Sequence, residues 1–140
     1  MKKILVPTDG SANAEKAINK AIEMIKKEEA ELIILNVAED FCPVGLDQMD
    51  CQTIRELVMK ESKNIIASTL EKIKKEGINA RGVVEVGAPA ETIIDFAEKE
   101  KVDEIIIASH GRRGLKKFLM GSVAKKVLEG ASCPVTVIKA

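Results

Sequence analysis

The chain has 140 residues, 46% hydrophobic and 31% charged, the balance of one soluble globular domain. Its 22 basic residues cancel its 22 acidic ones, which excludes long-range attraction to nucleic acid or to an anionic membrane as the way it finds partners. Three Phe, with no Trp and no Tyr, exclude base stacking on an aromatic platform and require an aliphatic core.

Ile4-Leu5-Val6 is a short, uninterrupted apolar run, as in a strand buried on both faces. Pro7, Asp9 and Gly10 end it far short of a signal peptide or a membrane span, so a cytoplasmic protein is expected. Ala14, Ala17, Ile18, Ala21, Ile22 and Ile25 then recur at helical spacing. Leu32 to Val37 reads as a second buried strand, and Asp40 to Asp50 as a loop broken by Pro43 and Gly45. A long helix is expected from about Thr53 to Glu76, with Ile54, Leu57, Val58, Ile65, Ile66, Leu70 and Ile73 on its buried stripe and Gly77 past its end. Ala80 to Val86 reads as the third strand. Pro89 opens the next helix, whose inner face is Ala90, Ile93, Ile94 and Ala97. Glu104 to Ser109 is the fourth strand, followed by a Gly-rich basic loop from Gly111 to about Lys117. A helix over Ser122 to Leu128 and a strand over Val135 to Ile138 complete the pattern.

Strict alternation of buried strands and helices predicts a single α/β domain over 1–140: a doubly wound, parallel five-stranded sheet with helices on both faces, Rossmann-like. Such sheets bind ligands outside the carboxyl ends of their strands, where the winding reverses. Three segments should converge there: Pro7 to Ser11, Val37-Ala38, and Ala108 onward. Gly121-Ser122, at the start of the last helix, is a natural phosphate seat, and Arg112, Arg113, Lys116 and Lys117 place positive charge close by. Neither GxxxxGK[ST] nor GxGxxG occurs.

Cys42 and Cys51 bracket the first loop and could pair, but a reducing cytosol predicts two free thiols. A single His leaves too few ligands for a Cys/His zinc site. Asp9 has two readings, as part of a ligand wall or as the cap of the first helix, and His110 reads as a structural residue of its loop.

Four segments in order carry a family resemblance: Lys3-Ile4-Leu5-Val6-Pro7-Thr8-Asp9-Gly10-Ser11, Gly87-Ala88-Pro89-Ala90-Glu91-Thr92-Ile93, Ser109 to Leu115 with Leu119 to Ala124, and Cys133 to Ile138. Together they resemble the universal stress protein family over essentially the whole chain, which implies an adenine-nucleotide-hydrolase-like variant of the fold. Nucleotide-binding members carry Gly, two residues, Gly, nine residues, then Gly-Ser or Gly-Thr. Here Gly111 takes the second glycine position and Gly121-Ser122 the last, while Ala108 stands where the first glycine is expected. The resemblance implies ATP or another adenine nucleotide as ligand, with Mg²⁺ accompanying the phosphates. Pro7, Thr8 and Asp9 would line the base and ribose, Val37 would touch the adenine, and Gly111 would approach the ribose or phosphates. Gly121, Ser122 and Val123 would hold the phosphates, with Arg112 nearby and Asp9 reaching Mg²⁺ through water. It also implies a homodimer paired through Val135 to Ile138, acting as a sensor or regulator in a stress response.

The residues show no positioned general base near the expected γ-phosphate, so a binding module is read in preference to an efficient enzyme. The alternatives are a slow ATPase or self-phosphorylating protein, with Asp9 and His110 as candidate groups, or a family member without nucleotide that acts through protein partners. A flavin carrier lacks the Trp or Tyr that would flank the ring system.

Overall fold

A computed structural model of the chain describes residues 1–39, 42, 45–110 and 120–139. Among them strands and helices alternate: β1 (Lys2–Pro7), α1 (Ala12–Lys27), β2 (Ala30–Ala38), α2 (Gln48–Lys75), β3 (Ala80–Val86), α3 (Pro89–Lys99), β4 (Glu104–Ala108), α4 (Ser122–Gly130) and β5 (Val135–Ile138). The sheet order is β3-β2-β1-β4-β5, and every pair is parallel. The chain winds outward from β1 to β3, then returns to β4 on the other side, so the reversal falls between β1 and β4.

Period-two alternation along the strands divides the core into two layers. Ile4, Val6, Leu32, Ile34 and Ile106 pack under α1 and α2. Leu5, Ile33, Leu35, Ile105 and Ile107 pack under α3 and α4. Both faces are covered, which is why the central strands read as unbroken aliphatic runs. No helix among the described residues is long and apolar enough to cross a membrane.

Three expectations need correction. α2 begins at Gln48, five residues before the expected Thr53 (48 against 53), because the Asp47 side chain caps it by accepting from the Asp50 N–H at 2.8 Å. The expected loop to Asp50 therefore ends at Asp47; its residues 40, 41, 43 and 44 lie outside the described set. Leu57 is 62% exposed, since the buried stripe runs through Cys51, Ser62, Ile66 and Ile73 and Leu57 falls one residue off that line. In α3, Phe96 rather than Ile94 completes the fully buried set, and Ile94 packs half-buried at its margin.

The cysteines also differ from expectation. Cys42 and Cys51 are joined in a disulfide, with their Cα atoms 5.4 Å apart. The earlier start of α2 is the reason: it puts Cys51, buried, in the first turns of the helix and in reach of Cys42.

Candidate nucleotide site

β1 and β4 pair only at Ile4–Glu104 and Leu5–Ile105. The β1–β2 ladder, by contrast, continues to Pro7–Leu35, and the Thr8 N–H extends it by donating to the Leu35 carbonyl at 2.8 Å. Pairing thus stops on the β4 side while it persists on the β2 side, and a crevice opens at the carboxyl end of the sheet where the winding reverses. It is a cleft of about 710 Å³.

Eight of the sequence-derived residues come together in its wall. Pro7, Thr8 and Asp9 follow β1; Val37 lies near the end of β2; Ala108 ends β4; Gly121, Ser122 and Val123 open α4. Gly111 and Arg112, with the rest of the basic loop, lie outside the described residues.

The β1 wall is a tightly bonded turn. The Gly10 N–H donates to Thr8 Oγ1 at 3.1 Å, and the Ser11 N–H to Asp9 Oδ1 at 2.9 Å. Gly10 has φ +81°, a left-handed backbone that glycine adopts without steric penalty. The cap of α1 is Ser11, whose Oγ accepts from the Ala14 N–H at 3.1 Å, so the capping role considered for Asp9 belongs to its neighbour. Asp9 instead braces the turn from the cleft side.

Ala108 is a buried strand residue paired with Ile138, and Lys101 is the one non-glycine with positive φ among the described residues. The backbone at the departed glycine position is therefore ordinary β, and alanine fits it without strain.

Gly121 plays a different part from that expected. Its N–H donates to the Ser109 carbonyl at 2.7 Å, and a Cβ built on it would stand 3.0 Å from that oxygen. The glycine lets the start of α4 lie directly against the end of β4, and its own amide is engaged there. Gly121 is the N-cap of α4, and among the described residues no side chain caps the helix.

Sequence reasoning missed the α2 side. Val58, Glu61, Ser62 and Ile65 face the cleft. Ser62 is the one readable signal: a buried serine on an otherwise aliphatic helical stripe. Asn36 and His110 also belong to the wall, 5% and 6% exposed. The His110 Nδ1 is 3.1 Å from Ser109 Oγ, and neither His110 Nε2 nor Asn36 Oδ1 has a hydrogen-bond partner among the described residues. Asp9, Glu39 and Glu61 supply the carboxylates of the wall, and no group of three or more metal-ligating side chains forms among the described residues.

The model of the universal stress protein family matches residues 1–139. The chain belongs to that family. It is 35% identical over 139 residues to universal stress protein MJ0531 of Methanocaldococcus jannaschii, covering 99% of this chain and 82% of that protein. Universal stress protein UspA from Lactobacillus plantarum superposes with TM-score 0.87 at 25% identity, covering 99% of this chain and 97% of the other. The universal stress protein from Archaeoglobus fulgidus, solved in complex with dAMP, superposes with TM-score 0.72 at 25% identity, with 99% and 98% covered. That relative thus holds an adenine nucleotide on this fold.

Proposed function

We propose that this universal stress protein binds an adenine nucleotide, ATP with Mg²⁺, at the carboxyl end of its sheet, and acts as a dimeric sensor or regulator in a stress response. The observation that carries the reading is the position of the α4 N-terminus, which no side chain caps among the described residues, in the wall of a cleft at the β1/β4 reversal. First-turn amides and the positive end of the helix dipole favour a phosphate there. The cleft's volume of about 710 Å³ suits a ligand of nucleotide size. A relative of the same fold solved with dAMP supports the adenine class.

In this reading Pro7, Thr8 and Asp9 line one side of the base and ribose, and Val37 packs on the adenine. Ser122 and Val123 hold the phosphates through backbone N–H groups and the Ser122 hydroxyl. Gly121 sets their position and Ala108 forms the floor; the family resemblance would add Gly111 and Arg112 on the phosphate side. Mg²⁺ would arrive with the phosphates and keep its waters. Asp9 would orient one of those waters. When bound, the ion neutralises phosphate charge.

The dimer would form through β5, an edge strand whose four residues are half-buried and apolar or β-branched. Sedimentation of the purified chain as a monomer would remove this part.

The test of the site is chromatography of the supernatant after gentle purification and denaturation, followed by calorimetric titration with Mg-ATP. Near-stoichiometric release of ATP, or saturable binding of added Mg-ATP, is expected. An empty supernatant together with a flat titration would refute the reading and turn attention to protein partners.

A further inference from the structure

From Leu32 to Ala38, β2 is an aliphatic run with one interruption. Leu32, Ile33, Ile34 and Leu35 are fully buried, and the next residue, also buried, is Asn36. A leucine of nearly the same size would fill that space without desolvating an amide. The amide, moreover, is only half satisfied: Nδ2 donates to the Thr8 carbonyl at 2.8 Å, while Oδ1 has no partner among the described residues. A group with one end unpartnered is a poor device for stability. Its reason must lie in the one bond it makes.

That bond fixes a particular peptide. The Thr8 N–H is held by the Leu35 carbonyl, the last link between β1 and β2. The Thr8 carbonyl is one step beyond the ladder and is held by the Asn36 side chain. Both backbone polar groups of Thr8 are therefore tied to adjacent residues of β2. Downstream, the turn is braced locally, through Thr8 Oγ1 to Gly10 and Asp9 Oδ1 to Ser11. Asn36 couples this turn to β2 immediately before Val37. The Thr8–Asp9 turn and Val37 belong to walls of the same cleft.

We propose that Asn36 is a positioning residue of the nucleotide site: its amide holds the Thr8–Asp9 peptide at a fixed distance from Val37 and so sets the slot that receives the purine. This rests on the nucleotide reading of the cleft. It predicts that the residue matters more for affinity than for folding, because the turn can relax to solvent once released, whereas the slot loses its shape.

Two variants separate the roles. Asn36→Leu removes the donor and keeps the bulk. Asn36→Asp replaces the donor by an acceptor facing an acceptor, until the carboxyl is protonated and donates in its place. Mg-ATP affinity by calorimetry should fall about tenfold in Asn36→Leu, the scale of one lost hydrogen bond, with the melting temperature of the ligand-free protein unchanged or raised. Asn36→Asp should bind more weakly still at pH 8 and recover part of the loss as the pH falls toward 5. Asn36→Leu should show no such recovery relative to the unsubstituted protein. Affinity in Asn36→Leu equal to the unsubstituted protein, or a loss matched by a fall in melting temperature, would overturn the proposal.

Hydrogen exchange on the ligand-free proteins distinguishes this failure from that of the nucleotide reading. Amides of Gly10 and Ser11 should exchange faster in Asn36→Leu, with the amides of β2 unchanged. Unchanged exchange at the turn overturns the positioning role whatever the protein binds. Faster exchange in a protein that binds no nucleotide keeps the brace but refutes its role at a nucleotide site.

Discussion

Gly121 and Ser109 are joined backbone to backbone: the Gly121 N–H donates to the Ser109 carbonyl at 2.7 Å, and a Cβ on Gly121 would lie 3.0 Å from that same oxygen and 3.5 Å from His110 Cα. The φ of −62° and ψ of 155° at Gly121 are open to any residue, so space rather than conformation selects the glycine. Gly121→Ala would have to push the start of α4 away from β4. A stability loss of about 1–2 kcal/mol is expected in urea denaturation, the ordinary scale of overpacking. Nucleotide affinity should fall with it, since Ser122 and Val123 move with the helix. A fully stable Gly121→Ala protein would show that the contact yields without strain.

A second close approach lies under α2. A Cβ at Gly82 would stand 2.5 Å from Ile66 Cγ2 and 2.7 Å from Leu70 Cδ1, so β3 meets the helix at the bare glycine backbone. Gly82→Ala should destabilise by roughly 1–3 kcal/mol. Ile66→Ala should also destabilise by itself, through the cavity it leaves. Combined, the two should lose less than their sum, because each makes room for the other. Strict additivity in chemical denaturation would argue that the helix simply rides outward.

These two glycines mark where sequence reasoning reached its limit. The strands were legible because burial on both faces writes itself as aliphatic runs, and the bounds of β3 and β5 match expectation residue for residue. The cleft's place at the carboxyl end of the sheet followed from the order of strands and helices, and eight of the expected residues line it. The α2 wall was not legible, because Val58 and Ile65 look like any core residues until the helix is placed over the sheet. Asn36 was hidden for a related reason: a lone amide in a strand carries no meaning until its partner, 28 residues away in sequence, is known. The start of α2 was misjudged because Asp47, Asp50 and the breakers before them read as loop, while a capping carboxylate is also how a helix begins.

The disulfide makes a simple count. Protein denatured without reductant should present one alkylatable thiol per chain, Cys133, and three after reduction. In the folded protein even Cys133 should react slowly at pH 8, because burial, more than the nearby Asp103 and Glu104, holds its thiol above the ordinary value of 9.0. Cys42→Ser should lower stability under oxidising conditions by roughly 2–3 kcal/mol, the loop-closure scale for so short a loop, and should have no such effect with reductant present. Three thiols before reduction would mean that the bond is not kept in solution.

At the opposite end of the sheet from the cleft, Lys2 and Glu104 tie β1 to β4. Lys2 Nζ is 3.0 Å from Glu104 Oε1 and 3.3 Å from Glu28 Oε1, while Thr136 Oγ1 donates to Glu104 Oε2 at 2.8 Å. The hydrogen bond to Glu104 is foremost in holding the Lys2 ammonium above its ordinary value of 10.5, and Glu28 adds to it. A group whose folded pKa is raised contributes stability that is fully present below its unfolded pKa and is lost as pH rises through the folded one. The gap in urea midpoint between the unsubstituted protein and Lys2→Met should therefore be constant from about pH 7 to 9 and close above roughly pH 10.5. Lys2→Arg separates charge from packing, because a guanidinium does not titrate in that range and should keep its gap over Lys2→Met where lysine loses it. If the lysine gap persists unchanged to about pH 12, the aliphatic stem of Lys2 contributes in place of its charge.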